Sequence, residues 1–109
     1  MSFEIIPTPP FAKELKTLAK KYKSIGDDLR KLIKELDENP KLGTYLGKDC
    51  YKIRMTISSK GKGKSGGARV ITYVKVVHEK IYLLDIYDKS NSESISDKEL
   101  MLLIRLAAE

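Results

Sequence analysis

The stretch ARVITYVKVVHEKIYLLDIYD, residues 68–88, contains two runs of apolar, β-branched and aromatic residues separated by a short turn. Runs of this composition and length are typical of β-strands. We assign strands to residues 68–77 and 80–88, with a tight turn at His78 and Glu79. The two strands then form an antiparallel hairpin, and strict alternation would place Leu83, Asp85 and Tyr87 on one face.

A third strand precedes this hairpin at residues 50–57, where side chains of two kinds alternate. A loop of glycine, lysine and serine, residues 58–67, joins it to the hairpin, so the three strands are expected to form an antiparallel meander. In the strand at residues 50–57, one side carries Tyr51, Ile53, Met55 and Ile57, and the other carries Cys50, Lys52, Arg54 and Thr56.

The remaining segments predict a short strand and three helices. Residues 3–6 form the strand, and apolar residues at helical spacing then mark two helices, over residues 11–22 and from Ile25 to about Asn39. The short break between these helices predicts an antiparallel helical hairpin. A last helix begins near Ser96, which forms a capping box with the glutamate three residues later.

The order of elements is therefore β-α-α-β-β-β-α, which predicts the α+β class. We expect the helical hairpin to pack on one face of a small, curved, mainly antiparallel sheet, in a single domain over residues 1–109. Cys50 is the one cysteine of the sequence, which is typical of a reducing cytoplasm. Neither a signal peptide nor an apolar run of about 18 residues is present, so a cytoplasmic protein without a membrane partner is expected.

The net charge of the chain indicates which classes of partner are plausible. Lysine and arginine number 21 against 15 aspartates and glutamates, a net charge of +6. A basic surface attracts polyanions, so nucleic acid, the ribosome or an acidic protein are plausible partners. A soluble domain that is basic without any such partner is the alternative.

Several kinds of site are excluded by composition. The one histidine, His78, falls in a predicted turn, and no cluster of potential ligands has metal-site spacing, so we expect neither a metal nor a cofactor. The run GKGKSG, residues 61–66, is not a phosphate-binding P-loop, because serine stands at 58 where glycine is needed and a strand follows. It remains either a solvated hairpin tip or an RNA-tracking loop with lysines at Lys60, Lys62 and Lys64.

The strands carry a more specific pattern. Lys52 and Arg54 are two residues apart and share a face, and Arg69 and Tyr87 can join them from neighbouring strands. Cations on adjacent strands repel one another unless an anion binds between them, and a phosphate fits there. Such a group can cleave RNA without a metal, because lysine can act as a base and arginine can stabilise the phosphorane. A solvated sheet face is the alternative.

Three segments resemble the RelE/ParE toxin superfamily: CYKIR at 50–54, GKSGGARVI at 63–71 and LLDIYDKS at 83–90. The second segment and the end of the third resemble its HigB-like branch. The resemblance implies an endoribonuclease that cleaves mRNA, commonly in the A site of the small (30S) ribosomal subunit. It also implies neutralisation by an antitoxin encoded by an adjacent gene, which we expect to be acidic.

The resemblance also implies roles for single residues. Lys52 and Arg54 match the family's basic pair, one of which is the candidate base, and Arg69 matches a phosphate-stabilising arginine. Members often have a further arginine after the last strand and a tyrosine near the C-terminus. Here no arginine follows Tyr87 until Arg105 and no later tyrosine exists, so Lys89 and Tyr87 are the candidate replacements.

Two other functions stay open. A ParE-like inhibitor of DNA gyrase needs no phosphate cradle, so Lys52, Arg54 and Arg69 favour the nuclease. A non-catalytic RNA- or ribosome-binding module is the other. The helical lysines Lys13, Lys16, Lys20 and Lys31 either contact ribosomal RNA or form a solvated helix surface.

Overall fold

The structure, a computed structural model, describes residues 3–61, 63, 66–91 and 94–108. Within these residues the chain forms five strands and three α-helices, so the predicted α+β class is confirmed. In chain order they are β1 (Glu4–Pro7), α1 (Pro9–Lys21), α2 (Ile25–Glu38), β2 (Thr44–Gly47), β3 (Cys50–Met55), β4 (Ala68–Lys75), β5 (Lys80–Asp88) and α3 (Asp97–Ala108).

The strands form one mixed sheet in the order β1-β5-β4-β3-β2. Strands β3, β4 and β5 are the predicted antiparallel meander. Strand β1 pairs in parallel with β5, from Glu4 opposite Lys80 to Pro7 opposite Leu83. Strand β1 precedes the helical hairpin in the chain and β2 follows it, and these two strands lie at opposite edges of the sheet.

Strand β2 was missing from the predicted order. It pairs antiparallel with β3 through a two-residue turn at Lys48 and Asp49, whose φ angles are 55° and 63°. Left-handed residues suit such a turn, but asparagine and glycine are its usual sequence signal. The strand is also only four residues long, so neither its turn nor its pattern marks it in the sequence.

The helical hairpin packs on one face of the sheet, as predicted. Proline is tolerated in the first turn of a helix, and Pro9 and Pro10 stand there in α1. Phe11 of α1, Leu36 of α2 and Ile81 of β5 have no exposed surface and lie in the same apolar core. We call this side of the sheet the helical face.

A polar network ends β3 earlier than the predicted residue 57. The Asp28 carboxylate on α2 accepts the backbone N–H of Ser58 at 2.9 Å and its hydroxyl at 2.6 Å. Burial alone would raise the pKa of Asp28, but these bonds and one from Ser24 outweigh burial and lower it. Residues 58–60 form a short 3-10 turn that is fastened to α2.

Helix α3 covers part of the opposite side, which we call the second face. Leu100 of α3 packs with Cys50, Ile71 and Leu84 in a smaller apolar core. The predicted cap is confirmed, because the Ser96 hydroxyl accepts the N–H of Glu99 at 3.1 Å.

A bulge in β5 corrects the predicted alternation. Ile71 lies opposite Asp85, but the next residue of β4, Thr72, lies opposite Leu83, so Leu84 is the extra residue. Leu83 therefore joins the core of the helical face, whereas Leu84 packs on the second face. The prediction that Leu83 shares a face with Asp85 was wrong, because the extra residue shifts the alternation by one.

Candidate functional site

The strand register brings three predicted site residues into one row. Arg54 of β3 lies opposite Arg69 of β4, which lies opposite Tyr87 of β5. In the next row, Lys52 lies opposite Ile71. Directly opposed residues of an antiparallel pair point to the same face, with Cα atoms roughly 4.5–5.5 Å apart. Lys52, Arg54, Arg69 and Tyr87 therefore belong to the second face.

Arg69 at the centre of this row is buried, with 4% of its surface exposed. One guanidinium nitrogen donates to the carbonyl oxygen of Ala68 at 3.1 Å. The centre of the row is therefore not open to solvent. A guanidinium that is buried and hydrogen-bonded has few rotamers available, so its position is set before any ligand arrives.

Tyr87 lies beside Arg69, and its hydroxyl oxygen is buried. Among the described residues this hydroxyl has no hydrogen-bond partner. Burial raises the pKa of Tyr87, Arg69 opposes the rise, and Asp85 and Glu99 add to it. The phenol therefore keeps its proton at neutral pH and is able to donate a hydrogen bond.

Lys52 and Arg54 are the more accessible members of the group. Lys52 is half-buried and Arg54 is exposed. Strand β2 pairs with β3 only as far as Lys52, so Arg54 stands at an open edge of the sheet. There it borders a small hollow together with Lys31 and Glu35 of α2.

Lys89 follows β5 directly and is half-buried. Its backbone N–H donates to the carbonyl oxygen of Gly67 at 3.0 Å, which holds the end of β5 against the start of β4. A Cβ atom at Gly67 would lie 2.1 Å from the carbonyl oxygen of Met55, so the backbone is too close there for any side chain. The end of the row at Arg69 and Tyr87 is thus tightly packed.

Lys60 differs from the other predicted residues. Its ammonium pairs with the Asp88 carboxylate at 2.7 Å, and the Tyr22 hydroxyl donates to the same carboxylate at 2.6 Å. The hydrogen bond to Asp88 raises the pKa of Lys60. Burial alone would raise the pKa of Asp88, but the bonds from Lys60, Tyr22 and Ser90 hold it well below its usual range.

This cluster lies on the helical face, away from the arginine row, and sequence reasoning missed it because Tyr22, Lys60 and Asp88 are far apart in the chain. Lys60 thus serves to fasten the loop to β5. The other two lysines predicted to bind RNA, Lys62 and Lys64, lie outside the described residues.

Within the described ranges, no three histidine, cysteine, aspartate or glutamate side chains group closely enough to hold a metal ion. No helix in that part of the chain has the length and apolarity needed to cross a membrane.

Residues 11–109 match the family described as the RelE toxin of the RelE/RelB toxin–antitoxin system. The chain belongs to the RelE toxin family. This RelE-family protein is therefore a toxin of the type II toxin–antitoxin class. The resemblance to the superfamily is confirmed, and assignment to the HigB-like branch stays a prediction.

Solved structures agree with the fold of this RelE-family protein. A variant of the E. coli toxin RelE in the free state is 22% identical, with 85% of this chain and 90% of that chain covered and a TM-score of 0.62. The isolated E. coli RelE toxin is 18% identical over 96% of this chain and 99% of that chain, also with a TM-score of 0.62. A chain of the intact E. coli RelBE toxin–antitoxin complex is 20% identical over 80% of this chain and 96% of that chain, with a TM-score of 0.62.

Proposed function

We propose that this toxin is a metal-independent endoribonuclease that cleaves mRNA in the ribosomal A site and so inhibits translation. The observation that carries the proposal is the row Arg54–Arg69–Tyr87, with Lys52 in the adjacent row of the same face. It supplies positive charge, a buried donor and a candidate base within the span of a few strands.

The chemistry follows from the properties of each group. The ribose 2′-oxygen attacks the adjacent phosphorus, the bond from phosphorus to the 5′-oxygen breaks, and a 2′,3′-cyclic phosphate is left. Lys52 is the candidate base for the 2′-hydroxyl proton, because an arginine does not give up its proton in proteins. Arg69 and Arg54 stabilise the charge of the phosphorane.

Tyr87 completes the set. Its phenol is protonated and its hydroxyl has no partner among the described residues, so it can donate to the phosphate or to the departing 5′-oxygen. Lys89 lies two residues further along and can hold a neighbouring phosphate. Lys62 and Lys64 of the glycine-rich loop are proposed to contact the RNA backbone, whereas Lys60 is held by Asp88.

The partners follow from the same proposal. They are mRNA, the ribosome with its small-subunit RNA, and an acidic antitoxin encoded beside the toxin gene. Exposed lysines on the outer side of α1 and α2 give the toxin a second basic surface for ribosomal RNA, through Lys13, Lys16, Lys20 and Lys31. The toxin acts in the cytoplasm, where its targets are.

The test adds purified toxin to a translating extract and maps mRNA ends by primer extension. We expect the double variant Lys52→Ala, Arg69→Ala to lose at least about 100-fold in cleavage rate, because it lacks the candidate base and the central charge. Lys98→Ala, which removes an exposed lysine of α3, is the matched control and should cleave like the unchanged protein.

Circular dichroism and thermal unfolding of the double variant distinguish a lost site from a lost fold. Cleavage at an unchanged rate by the folded double variant would place the site elsewhere. Blocked DNA supercoiling with intact mRNA would instead favour the gyrase inhibitor, and ribosome binding with neither effect would favour the non-catalytic module.

A further inference from the structure

A buried ion pair joins the connection between β3 and β4 to the end of β5. The Lys60 ammonium lies 2.7 Å from the Asp88 carboxylate, and the two side chains are 11% and 1% exposed. Lys60 also donates to the Ser90 hydroxyl at 3.3 Å. A buried charge has lost most of its water and depends on its partner, so such a pair fixes the two segments that carry it relative to each other. The pair of Arg30 and Asp27, by contrast, is 73% and 71% exposed and holds little in place.

This ion pair lies directly behind Tyr87. Asp88 follows Tyr87 in β5, and successive residues of a strand point to opposite faces, so the pair is on the helical face and the phenol is on the second face. Asp88 lies opposite Ala68 in the same ladder in which Tyr87 lies opposite Arg69. A displacement of Asp88 therefore displaces the backbone of Tyr87 relative to Arg69.

The Asp88 carboxylate also shapes the turn that ends β5. The oxygen that accepts from Lys60 accepts the Ser90 N–H at 3.0 Å and the Ser90 hydroxyl at 2.8 Å. The Asp88 carbonyl oxygen accepts the Asn91 N–H at 3.0 Å. An aspartate that bonds the backbone two residues further on forms a turn of defined geometry. One carboxylate thus orders the strand end immediately after Tyr87.

Lys60 approaches Asp88 from a backbone that is itself held in place. Ser58 is bound to α2 by two hydrogen bonds, and the Ser59 N–H donates to the Ser24 hydroxyl at 2.8 Å. Residues 58–60 form one 3-10 turn, and the chain leaves it at Gly61, whose φ of 74° is left-handed. Lys60 is therefore the last residue of a fixed base that lies before the glycine-rich part of the connection.

The two contacts of Asp88 with distant segments differ in kind. The Tyr22 hydroxyl donates to the other carboxylate oxygen at 2.6 Å, but it is neutral and leaves the charge in place. Lys60 both binds the carboxylate and neutralises it. Burial alone would raise the pKa of Asp88, and among the bonds that lower it Lys60 contributes most and Tyr22 next. Loss of Lys60 leaves a buried carboxylate without a counter-charge, which has to move, bind water or take up a proton, whereas loss of the Tyr22 hydroxyl keeps the ion pair.

We propose that Lys60 and Asp88 are positioning residues of the ribonuclease, whose ion pair holds the end of β5 so that the Tyr87 hydroxyl keeps its place beside Arg69. This inference rests on the proposed function, which gives Tyr87 its role as proton donor. Neither Lys60 nor Asp88 contacts RNA in this arrangement. The pair acts through Tyr87, whose hydroxyl has no hydrogen-bond partner among the described residues and therefore takes its position from its backbone.

The experiment measures single-turnover cleavage of mRNA on programmed ribosomes by the full-length toxin. Lys60→Met removes the charge and keeps the apolar stem, Lys60→Arg restores a cation, and Tyr22→Phe is the matched control because it removes a bond to the same carboxylate. We expect Lys60→Met to lower the rate at saturating toxin at least about tenfold, since a small misplacement of a reacting group is costly. The toxin concentration for half of that rate should change less than about threefold. Lys60→Arg and Tyr22→Phe should both keep the rate within about threefold of the unchanged toxin.

Two further variants separate positioning from folding. The double variant Lys60→Met, Asp88→Asn leaves no charge buried without a partner, so it should fold even where Lys60→Met does not, and it should show the same loss of rate. In a Tyr87→Phe background, Lys60→Met should lower the rate by less than about threefold, because the hydroxyl that it positions is already gone. Equal losses in both backgrounds, or losses of the same size in Tyr22→Phe and Lys60→Met, would overturn the proposal.

A spectrum of the tyrosine rings provides a measurement that does not depend on cleavage. The toxin is labelled with ¹³C-tyrosine, and the signal of Tyr87 is identified by its absence from Tyr87→Phe. We expect Lys60→Met to move this signal by more than its linewidth, and Lys60→Arg and Tyr22→Phe to leave it in place. An unchanged toxin that cleaves no mRNA would contradict the proposed function alone, and the positioning role is then decided by the spectrum. A Tyr87 signal that stays in place in Lys60→Met would contradict the positioning role whatever the cleavage rate.

Discussion

The two faces of the sheet shift the pKa of a carboxylate in opposite directions. On the helical face, Asp88 accepts hydrogen bonds from Tyr22 and Lys60, and the pKa of Asp88 is held well below its usual range. On the second face, burial raises the pKa of Asp85 to about 6, and the Tyr87 hydroxyl lacks a partner among the described residues. A buried hydroxyl without a partner among the described residues occurs on both faces, at Thr72 on the helical face and at Tyr87 on the second. The contrast between the faces therefore lies in their carboxylates, which are paired at Asp88 and desolvated at Asp85.

The largest expected effect tests the helical face. Phe11→Ala should lower the free energy of unfolding by about 3–5 kcal/mol, because Phe11 has no exposed surface and its loss leaves a cavity. Urea denaturation at 25 °C measures the change. Met101→Ala, at a residue that is 43% exposed, is the control and should cost less than about 1 kcal/mol. Similar losses in both variants would contradict the assignment of the main core to this face.

A matched pair of tyrosines compares the two faces directly. Tyr22→Phe removes a 2.6 Å hydrogen bond to a carboxylate and should cost about 1.5–3 kcal/mol. Tyr87→Phe removes a buried hydroxyl without a partner and should leave stability unchanged or raise it by up to about 1 kcal/mol. Thermal and urea unfolding of both variants provide the measurement.

In mRNA cleavage, Tyr87→Phe should have the larger effect and Tyr22→Phe the smaller, the reverse of their order in stability. Tyr87→Phe should slow mRNA cleavage about tenfold or more, since it removes a proton donor, whereas Tyr22→Phe should cleave normally where it is folded. A strongly destabilised Tyr87→Phe variant would mean that its hydroxyl already has a structural role, and the contrast between the faces would fail.

The smallest effect concerns Asp85. The folded state binds the Asp85 proton more tightly than the unfolded chain, so this group destabilises the fold above pH 6 and ceases to do so as pH falls towards 4. Asp85→Asn keeps an oxygen that can accept the Ile86 N–H and should stabilise the toxin by about 1–2 kcal/mol at pH 7. Unfolding of both proteins from pH 4 to pH 8 should show the difference vanish at the acid end.

Most of the fold is predictable from periodicity, and the misses have physical causes. The meander, the helical hairpin and the cap at Ser96 follow from local patterns, and these patterns agree with the structure. The bulge at Leu84 depends on the pairing of two strands, which no local pattern reports. Strand β2 was not predicted because its turn consists of Lys48 and Asp49, which are not the usual residues at left-handed φ.

The shared face of the candidate site residues was predictable from the sequence, but the contacts around them were not. Alternation placed Lys52 with Arg54, and the register brings Arg69 and Tyr87 beside them. Burial of Arg69 and the pairing of Lys60 with Asp88 both depend on contacts between segments distant in the chain. Residue types alone carry no information on such contacts, so a cation that binds RNA and a cation that fastens a loop have the same appearance in sequence.

The parallel pairing of β1 with β5 has a consequence for the timing of folding. Glu4 meets Lys80, so β1 finds its partner only after α1, α2 and three further strands have been synthesised. Closing so long a segment is entropically costly and slow compared with forming a local hairpin. A nascent chain therefore cannot complete its sheet until translation has passed β5.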